Sequence, residues 1–379
     1  MNFVALKMLT GDRAKYLGLI FAIAFSSFLM AHQASIFAGI MNRTRSQILD
    51  VTDAGVWVMD RNTQYFDEVS ALTDNALYRV RGVSGVKWAV PLFKGQPRAK
   101  TPDGKFRVVI LMGLDDASLV GAPRKMLLGS ADDLREPDAA IIDEAGYRFF
   151  FPNAPLELGK TLEMNDHRVR LVGICDASAP FTTFPVLFTR YSQALNYVGR
   201  ERNLLSFVLA KPEEGVSIPD LTRRIEMSTG LKAMSSEQFG WATIVYYLRN
   251  TGIPVNFGLT VAIALIVGTV VAGQTFYIFT IENLKQFGAL KAIGVSDRRI
   301  VGMILLQALV VGAIGYALGM GMAAGFFSIF VHMIATRGIV LLWQVMLGDA
   351  VIVLFIVAIA SLMSIRKVLV LEPAVVFRG

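Results

Sequence analysis

The residues that come closest to a catalytic motif lie at 158–161, where Leu-Gly-Lys-Thr has the ending of a phosphate-binding loop. In the pattern GxxxxGK[ST] the first glycine would fall at Ala154, and a predicted strand follows where the motif requires a helix. We therefore expect no nucleotide at this place.

Two acidic pairs, Asp115-Asp116 and Asp132-Asp133, have the residue types for acid–base chemistry. Adjacent side chains diverge in direction, however, and the sequence shows no partner base. We expect both pairs to lie in solvated turns.

Cysteine and histidine are scarce in this chain. Cys175 is the only cysteine, which excludes an intrachain disulfide framework. The histidines His32, His167 and His332 are widely separated and lack the spacing of metal ligands. We expect no metal site, no cofactor bound by this chain and no catalysis by it.

Composition indicates a membrane protein. The chain has 379 residues, of which 54% are hydrophobic and 18% charged, and its mean hydropathy is +0.51; a soluble domain is about one quarter charged. The apolar residues are concentrated in four runs without formal charge, at 17–41, 251–281, 301–336 and 350–365. A span needs roughly 20 apolar residues, so we predict four transmembrane helices, the last beginning near Trp343.

The first run follows Lys7, Arg13 and Lys15, as the apolar region of a cleaved signal peptide would. It is longer than a typical signal region, and 31–34 is a poor cleavage site. We expect an uncleaved first helix.

Lysine and arginine flank the spans asymmetrically. Several precede the first span, follow the second and follow the fourth, whereas the connection between the third and fourth has only Arg337. The positive-inside rule then places both termini in the cytoplasm of a multi-pass membrane protein. The outer region, 42–256, has 26 Lys+Arg and 25 Asp+Glu, so the basic excess lies on the cytoplasmic pieces and indicates a lipid bilayer, not nucleic acid.

The fold class is therefore membrane α-helical, with an α+β extracytoplasmic domain between the first and second of four transmembrane helices. The predicted order is a cytoplasmic tail and first span (1–41), the extracytoplasmic domain (42–256), the second span (257–281), a cytoplasmic segment (282–300), the third span (301–336), the fourth span (343–366) and a cytoplasmic tail (367–379).

Within the extracytoplasmic domain, runs rich in β-branched and aromatic residues predict strands at 56–59, 87–92 and 107–112. The segments 161–164 and 167–174 predict a hairpin around Asn165-Asp166. The segments 205–210, 219–229 and 231–234 predict a strand, a helix and a strand, with Ser217 or Asp220 as the helix cap.

The segment from Asn283 to Ile300, NLKQFGALKAIGVSDRRI, interrupts the apolar pattern with four cations. An apolar residue recurs at every third position from 284 to 293, which predicts a short helix with one broad apolar side. Gly294 is placed to end this helix, and Ser296 to cap the next one. The helix could lie on the membrane surface with its apolar side in the headgroups, or its apolar residues could enter a groove on a soluble partner.

The third span is rich in glycine, and glycines four residues apart allow helices to approach closely in lipid. These candidate packing residues are Gly312, Gly315, Gly319, Gly321 and Gly325. They could pack the four helices of one chain together or form an interface with a second copy.

The stretch 273–294, GQTFYIFTIENLKQFGALKAIG, resembles the signature of ABC transporter permeases of the MacB/FtsX type and is most similar to the DevC-like branch of glycolipid exporter permeases. VWVMD at 56–60, GKTLEMNDHRVRLVGI at 159–174 and the glycine-rich third span are similar to that family as well. The resemblance implies a coupling helix that contacts the ATPase through Leu284, Lys285, Phe287, Gly288, Leu290, Lys291, Ile293 and Gly294. Gln286 departs from the family, since many members have Glu at this place.

This resemblance implies a non-catalytic permease subunit that recruits a separate cytoplasmic ATPase, acts together with a second permease copy and transmits the motion of the ATPase to the outer domain. A periplasmic adaptor protein and an outer-membrane channel are the further partners it implies, with a lipid, a glycolipid or a drug as substrate. Two alternatives are an FtsX-like assembly that regulates an envelope enzyme and a membrane-anchored sensor or adhesion protein without an ATPase; four helices with a structured cytoplasmic segment argue against the latter.

Overall fold

The structure is a computed structural model that describes residues 2–11, 13–101, 103–198, 205–330, 333 and 336–370. His332, other positions at the end of the predicted third span and 371–379 of the predicted tail lie outside these residues. The chain forms two compact units. We call 1–39 with 252–379 the helical unit and 40–251 the sheet domain.

Among the described residues, four helices are long and apolar enough to cross a membrane. They are α2 (Arg13–Asp50), α8 (Ile253–Glu282), α10 (Asp297–Phe330) and α11 (Trp343–Leu369). Two short helices, α1 (Asn2–Gly11) and α9 (Leu284–Ala292), complete the helical unit within the described residues. The first long helix continues well past the apolar run that predicted it, because no glycine or proline occurs between 42 and 54 to end it.

The described residues of the sheet domain form five shorter α-helices, α3 (Asp74–Arg81), α4 (Glu144–Phe150), α5 (Tyr191–Tyr197), α6 (Ile218–Thr229) and α7 (Ser236–Asn250), and a 3-10 helix, Ala131–Arg135. Its strands are β1 (Val56–Met59), β2 (Val86–Gly95), β3 (Arg98–Lys100), β4 (Phe106–Val108), β5 (Ile110–Leu114), β6 (Met126–Leu128), β7 (Ala139–Asp143), β8 (Thr161–Met164), β9 (His167–Cys175), β10 (Val186–Arg190), β11 (Phe207–Pro212) and β12 (Lys232–Ser235).

These strands form one mixed sheet in the order β12-β1-β11-β2-β5-β10-β7-β9-β8-β3-β4, with β6 paired to β9. The pairs β5–β10 and β7–β9 are parallel. Successive residues of the central strands belong to different core clusters: Ile141 packs in one and Ile142 in another. Because side chains alternate between the faces of a strand, the sheet is covered on both faces, and the predicted α+β domain is confirmed.

Most of the predicted local elements are confirmed. The hairpin β8–β9 turns at Asn165 and Asp166, which have φ values of 50° and 63°, as a two-residue turn of this kind requires. The helix α6 begins after Ser217, whose hydroxyl accepts from the N–H of Asp220. Ser217 is therefore the cap, and Asp220 lies in the first turn.

The prediction of one strand at 107–112 is wrong. The chain changes neighbours at Val109, whose N–H donates to the carbonyl of Pro97 at 3.0 Å. The part before it, β4, pairs with β3, whereas the part after it, β5, pairs with β2 and β10. A continuous apolar run does not reveal such a change, because both parts remain extended.

A buried ion pair stabilises the sheet domain. Lys94 is only 3% exposed and pairs with Asp67. The Lys94 Nζ also donates to the carbonyl of Phe66 at 3.2 Å, and the hydroxyl of Tyr247 donates to Asp67 at 3.0 Å. Burial lowers the pKa of Lys94, and the nearby carboxylate of Asp67 opposes that effect.

The replacement Asp67→Asn should lower the free energy of unfolding by about 3–5 kcal/mol, because it leaves the buried ammonium of Lys94 without a countercharge. The matched replacement Asp103→Asn removes an exposed pair with Lys105 and should change the stability little. Denaturant unfolding of both variants in detergent measures the difference. Equal midpoints for the two variants would contradict the assignment.

Candidate functional site

The short helix α9 connects α8 to α10 and contains the residues that the sequence proposes for coupling. It begins where α8 ends, and the N–H of Phe287 donates to the carbonyl of Asn283 at 3.1 Å. It is closed by Gly294, which has a φ of 92° and donates to the carbonyl of Lys291 at 3.0 Å. A positive φ favours glycine, so the predicted helix stop is confirmed.

The next helix begins directly after Ser296. The N–H groups of Arg299 and Ile300 donate to the Ser296 carbonyl at 2.9 and 3.2 Å. Asp297 lies in the first turn of α10, where a negative charge stabilises the helix end. The two helices are thus separated by a defined turn at 293–296.

The apolar residues of α9 do not share one face. Phe287 is fully buried in the core of the helical unit, together with Phe279 and Ile300. Ile293, in contrast, is 78% exposed. Three residues turn an α-helix by about 300°, so each step of three shifts the side chain by about 60°, and Ile293 lies opposite Leu284.

Phe287 therefore packs inside its own unit in this structure and is not open to a groove on a partner, and its part in coupling stays a prediction. Its aromatic ring anchors α9 to its own unit, and Gly288 is buried beside it. Leu284 and Leu290 are half-buried. The surface that α9 leaves open consists of Lys285, Gln286, Ala289, Ala292, Ile293 and Gly294.

Lys291 fixes α9 to two other helices. Its ammonium lies 3.0 Å from the carboxylate of Asp297, at the start of α10, and donates to the carbonyl of Leu369, at the end of α11, at 3.2 Å. The side chain is only 10% exposed. A force on α9 would therefore reach both helices through this side chain as well as through the backbone.

A second ion pair lies at the same end of the helical unit. Lys15, near the start of α2, pairs with Glu282, the last residue of α8. Both side chains remain partly exposed to solvent, so its contribution to stability is small. This pair joins α2 to α8, and Lys291 joins α9 to α10 and α11. These contacts therefore involve all four long helices at the end of the unit where α9 lies.

Three of the five candidate packing glycines pack closely against other helices of the helical unit. A Cβ atom on Gly312 would lie 2.7 Å from Val357 of α11, one on Gly315 would lie 2.7 Å from Ile23 of α2, and one on Gly319 would lie 2.7 Å from the carbonyl of Ala24. Real Cβ contacts are not this short, so these positions require glycine for close helix packing.

The other two glycines, Gly321 and Gly325, have no atom of the described residues within 4 Å of an added Cβ. The two hypotheses for the candidate packing residues, packing within one chain and an interface with a second copy, therefore apply to different glycines. The first three glycines pack within one chain, and the last two leave a surface that a second copy or lipid could cover.

The acidic residues and the segment 158–161 take part in local structure. Asp115 accepts hydrogen bonds from the hydroxyl and N–H of Ser118, and Asp133 accepts one from the N–H of Ser130. Asp115 therefore lies at a turn, as expected, whereas Asp133 lies in the first turn of a short 3-10 helix, Ala131–Arg135, so the expectation of a turn is wrong for the second pair. Thr161, at the end of the segment that resembles a phosphate loop, begins β8, so no helix N-terminus follows it.

Comparison with protein-family models gives two matches. Residues 17–227 match the MacB-like periplasmic core domain, and residues 258–373 match the FtsX-like permease C-terminal domain. The first match ends before α7, and the second includes most of α8 together with α9, α10 and α11.

Curated relatives include two uncharacterised ABC transporter permeases of Mycobacterium tuberculosis (strain ATCC 25618 / H37Rv). One is 25% identical over 225 residues and the other 27% identical over 226 residues; each match covers 59% of this chain. The chain matches only 58% of the length of each of these relatives.

Two solved structures align with part of this chain. The periplasmic region of MacB from Actinobacillus actinomycetemcomitans aligns with a TM-score of 0.39 at 18% identity, over 54% of this chain and 96% of that one. The extracellular domain of the noncanonical ABC-type transporter YknZ from Gram-positive bacteria aligns with a TM-score of 0.35 at 16% identity, over 48% of this chain and 98% of that one.

Proposed function

This chain belongs to the ABC transporter permeases of the MacB/FtsX type, and on that premise we propose that it is the permease subunit of an export complex. A separate ATPase would bind at α9, and its motion would reach the sheet domain through the long helices. The substrate would be hydrophobic or amphiphilic, such as a lipid, a glycolipid or a drug. Glycolipid is the candidate that the resemblance to the DevC-like branch suggests.

The observation that carries this proposal is the combination of anchoring and exposure in α9. Phe287 and Lys291 hold the helix to α10 and α11, while Ile293 and Lys285 remain open to a partner. A helix that only rested on the membrane would not require the ion pair with Asp297. A rigid helix with an open apolar residue is suited to transmit a push from a soluble partner.

The remaining assignments follow from this arrangement. We propose that α9 and both chain termini are cytoplasmic, because lysine and arginine are concentrated there, and that the sheet domain lies on the outer side of the inner membrane. ATP would be hydrolysed on the partner. A second permease copy, a periplasmic adaptor and an outer-membrane channel would complete the complex.

Affinity purification of the tagged chain from native membranes, followed by mass spectrometry, tests this proposal. An ATPase recovered together with an adaptor protein is the expected result. An ATPase recovered with an envelope hydrolase and without an adaptor would favour the FtsX-like regulatory function. The absence of any ATPase would contradict both functions.

A further inference from the structure

A carboxyl group is buried among the long helices at the end opposite α9. Asp349 of α11 is 3% exposed, and its Oδ2 lies 2.5 Å from the hydroxyl oxygen of Ser27 of α2, which is fully buried. Within the described part of the chain, the other oxygen, Oδ1, has no hydrogen-bond partner. Buried polar atoms without a partner are rare and call for an explanation.

Helix α10 makes room for this contact. A Cβ atom on Gly319 would lie 2.7 Å from the hydroxyl oxygen of Ser27, so only glycine allows Ser27 to reach Asp349. Tyr316, one turn earlier on α10, donates its hydroxyl to the carbonyl of Met346 at 3.1 Å. Three helices therefore meet at the carboxyl group, and each contributes a specific residue.

The sequence supplies no cation along the faces of these helices. Between Lys15 and Arg43 on α2, between Arg299 and Phe330 on α10, and between Asp349 and Arg366 on α11, no charged residue occurs, and α8 has none from 253 to 281. Titratable or charged groups at this end include Tyr316, His32, whose ring centroid lies 4.6 Å from that of Phe326, and Arg337 in the connection between α10 and α11; His332, in the same connection, lies outside the described residues.

The depth of Asp349 lets water reach it if the helices separate. The 27 residues of α11 span about 40 Å, compared with about 30 Å for the hydrocarbon core. Asp349 lies six residues from the start of the helix, about 9 Å along it. If α11 is centred in the membrane, the carboxyl group lies only a few ångströms inside the hydrocarbon boundary.

An ionised carboxylate in this place would be costly. Removing such a charge from water costs several kcal/mol even after relaxation, and one hydrogen bond from a serine does not offset that. A neutral carboxyl group avoids this cost. The neutral form also removes the negative charge that Oδ1 would share, so its missing partner costs much less.

We propose that Asp349 and Ser27 form a proton-binding site in the helical unit. In the arrangement seen here the carboxyl group carries a proton. When α2 and α11 separate at this end, the O–H bond breaks, the proton passes to water and the hydrated carboxylate remains. Because this arrangement binds one proton more than the separated one, lower pH favours it.

Infrared difference spectroscopy of the full chain in lipid nanodiscs at neutral pH tests the site. The spectrum of the wild type minus that of Asp349→Asn should contain the carbonyl stretch of a protonated carboxyl group. Ser27→Ala should shift this band to higher frequency, because the hydrogen bond is lost. Asp297→Asn, which removes an exposed carboxylate near α9, should leave the band unchanged.

Absence of the band in the wild type, or its persistence in Asp349→Asn, would overturn the proposal. If Asp349→Asn fails to fold, the Ser27→Ala spectrum decides: a shifted band supports the site, and an unshifted or absent band overturns it. The measurement needs no ATPase and no transported substrate. Its outcome is therefore independent of the proposed export function.

Discussion

Replacing Ile293 with aspartate should abolish the association of the chain with its ATPase while the chain itself stays folded. Ile293 is 78% exposed at the end of α9, directly before the turn at Gly294. An apolar residue at the centre of an interface contributes about 2 kcal/mol or more, which corresponds to a roughly 30-fold weaker complex. Adding a desolvated charge makes the loss larger. Co-purification of the ATPase from detergent, together with ATP hydrolysis by the complex, measures this loss of binding.

Two variants serve as controls for this prediction. Ile293→Val keeps an apolar side chain of similar shape and should retain the ATPase. Phe287→Ala removes a fully buried ring and should instead lower the melting temperature of the chain. If Ile293→Asp retains the ATPase at wild-type levels, the exposed side of α9 is not the docking surface.

The variants Gly319→Leu and Gly321→Leu should differ in stability, because Gly319 packs closely against α2 whereas Gly321 lies at an open surface. A side chain at Gly319 would collide with the carbonyl of Ala24 and with Ser27, and overpacking of this kind costs about 3 kcal/mol. A side chain at Gly321 meets no atom of the described residues within 4 Å. The substitution there also removes a glycine from a helix interior, which is neutral to slightly stabilising.

Thermal unfolding followed by size-exclusion chromatography compares the two variants. Gly319→Leu should melt well below the wild type, and Gly321→Leu should melt at or above it. Similar losses in both variants would contradict the packing of α2 on α10. A folded Gly321→Leu that loses a dimer seen in the wild type would place a second copy on that surface.

The sequence predicted the elements that depend on local or one-dimensional patterns. The four apolar runs predicted the four long helices because a span needs a continuous apolar segment. Asn165-Asp166 predicted its hairpin, and Gly294 predicted the end of α9, because both signals depend on a positive φ at one residue. The coupling segment was located by its charges and by its resemblance to the permease family.

Features that depend on contacts between distant parts of the chain were not predicted. The hydrogen bond from Lys291 to the carbonyl of Leu369 joins positions 78 residues apart, and the contact of Asp349 with Ser27 joins positions that are more than three hundred residues apart. The burial of Phe287 could be predicted in part from the sequence. Each step of three residues shifts the side chain by about 60° around the helix, which separates Phe287 from Ile293. Only the positions of α10 and α11 show which of these two residues packs in the core.

The most direct test of the central claim, that α9 is the surface on which an ATPase acts, is site-specific photocrosslinking in native membranes. A photoreactive amino acid at position 293 should crosslink to an ABC ATPase, identified by mass spectrometry. The same residue at position 263, which is half exposed on the apolar face of α8, should not. An ATPase crosslinked from 293 and not from 263 is the expected result, and its absence from 293 in a folded, membrane-inserted chain would contradict the account.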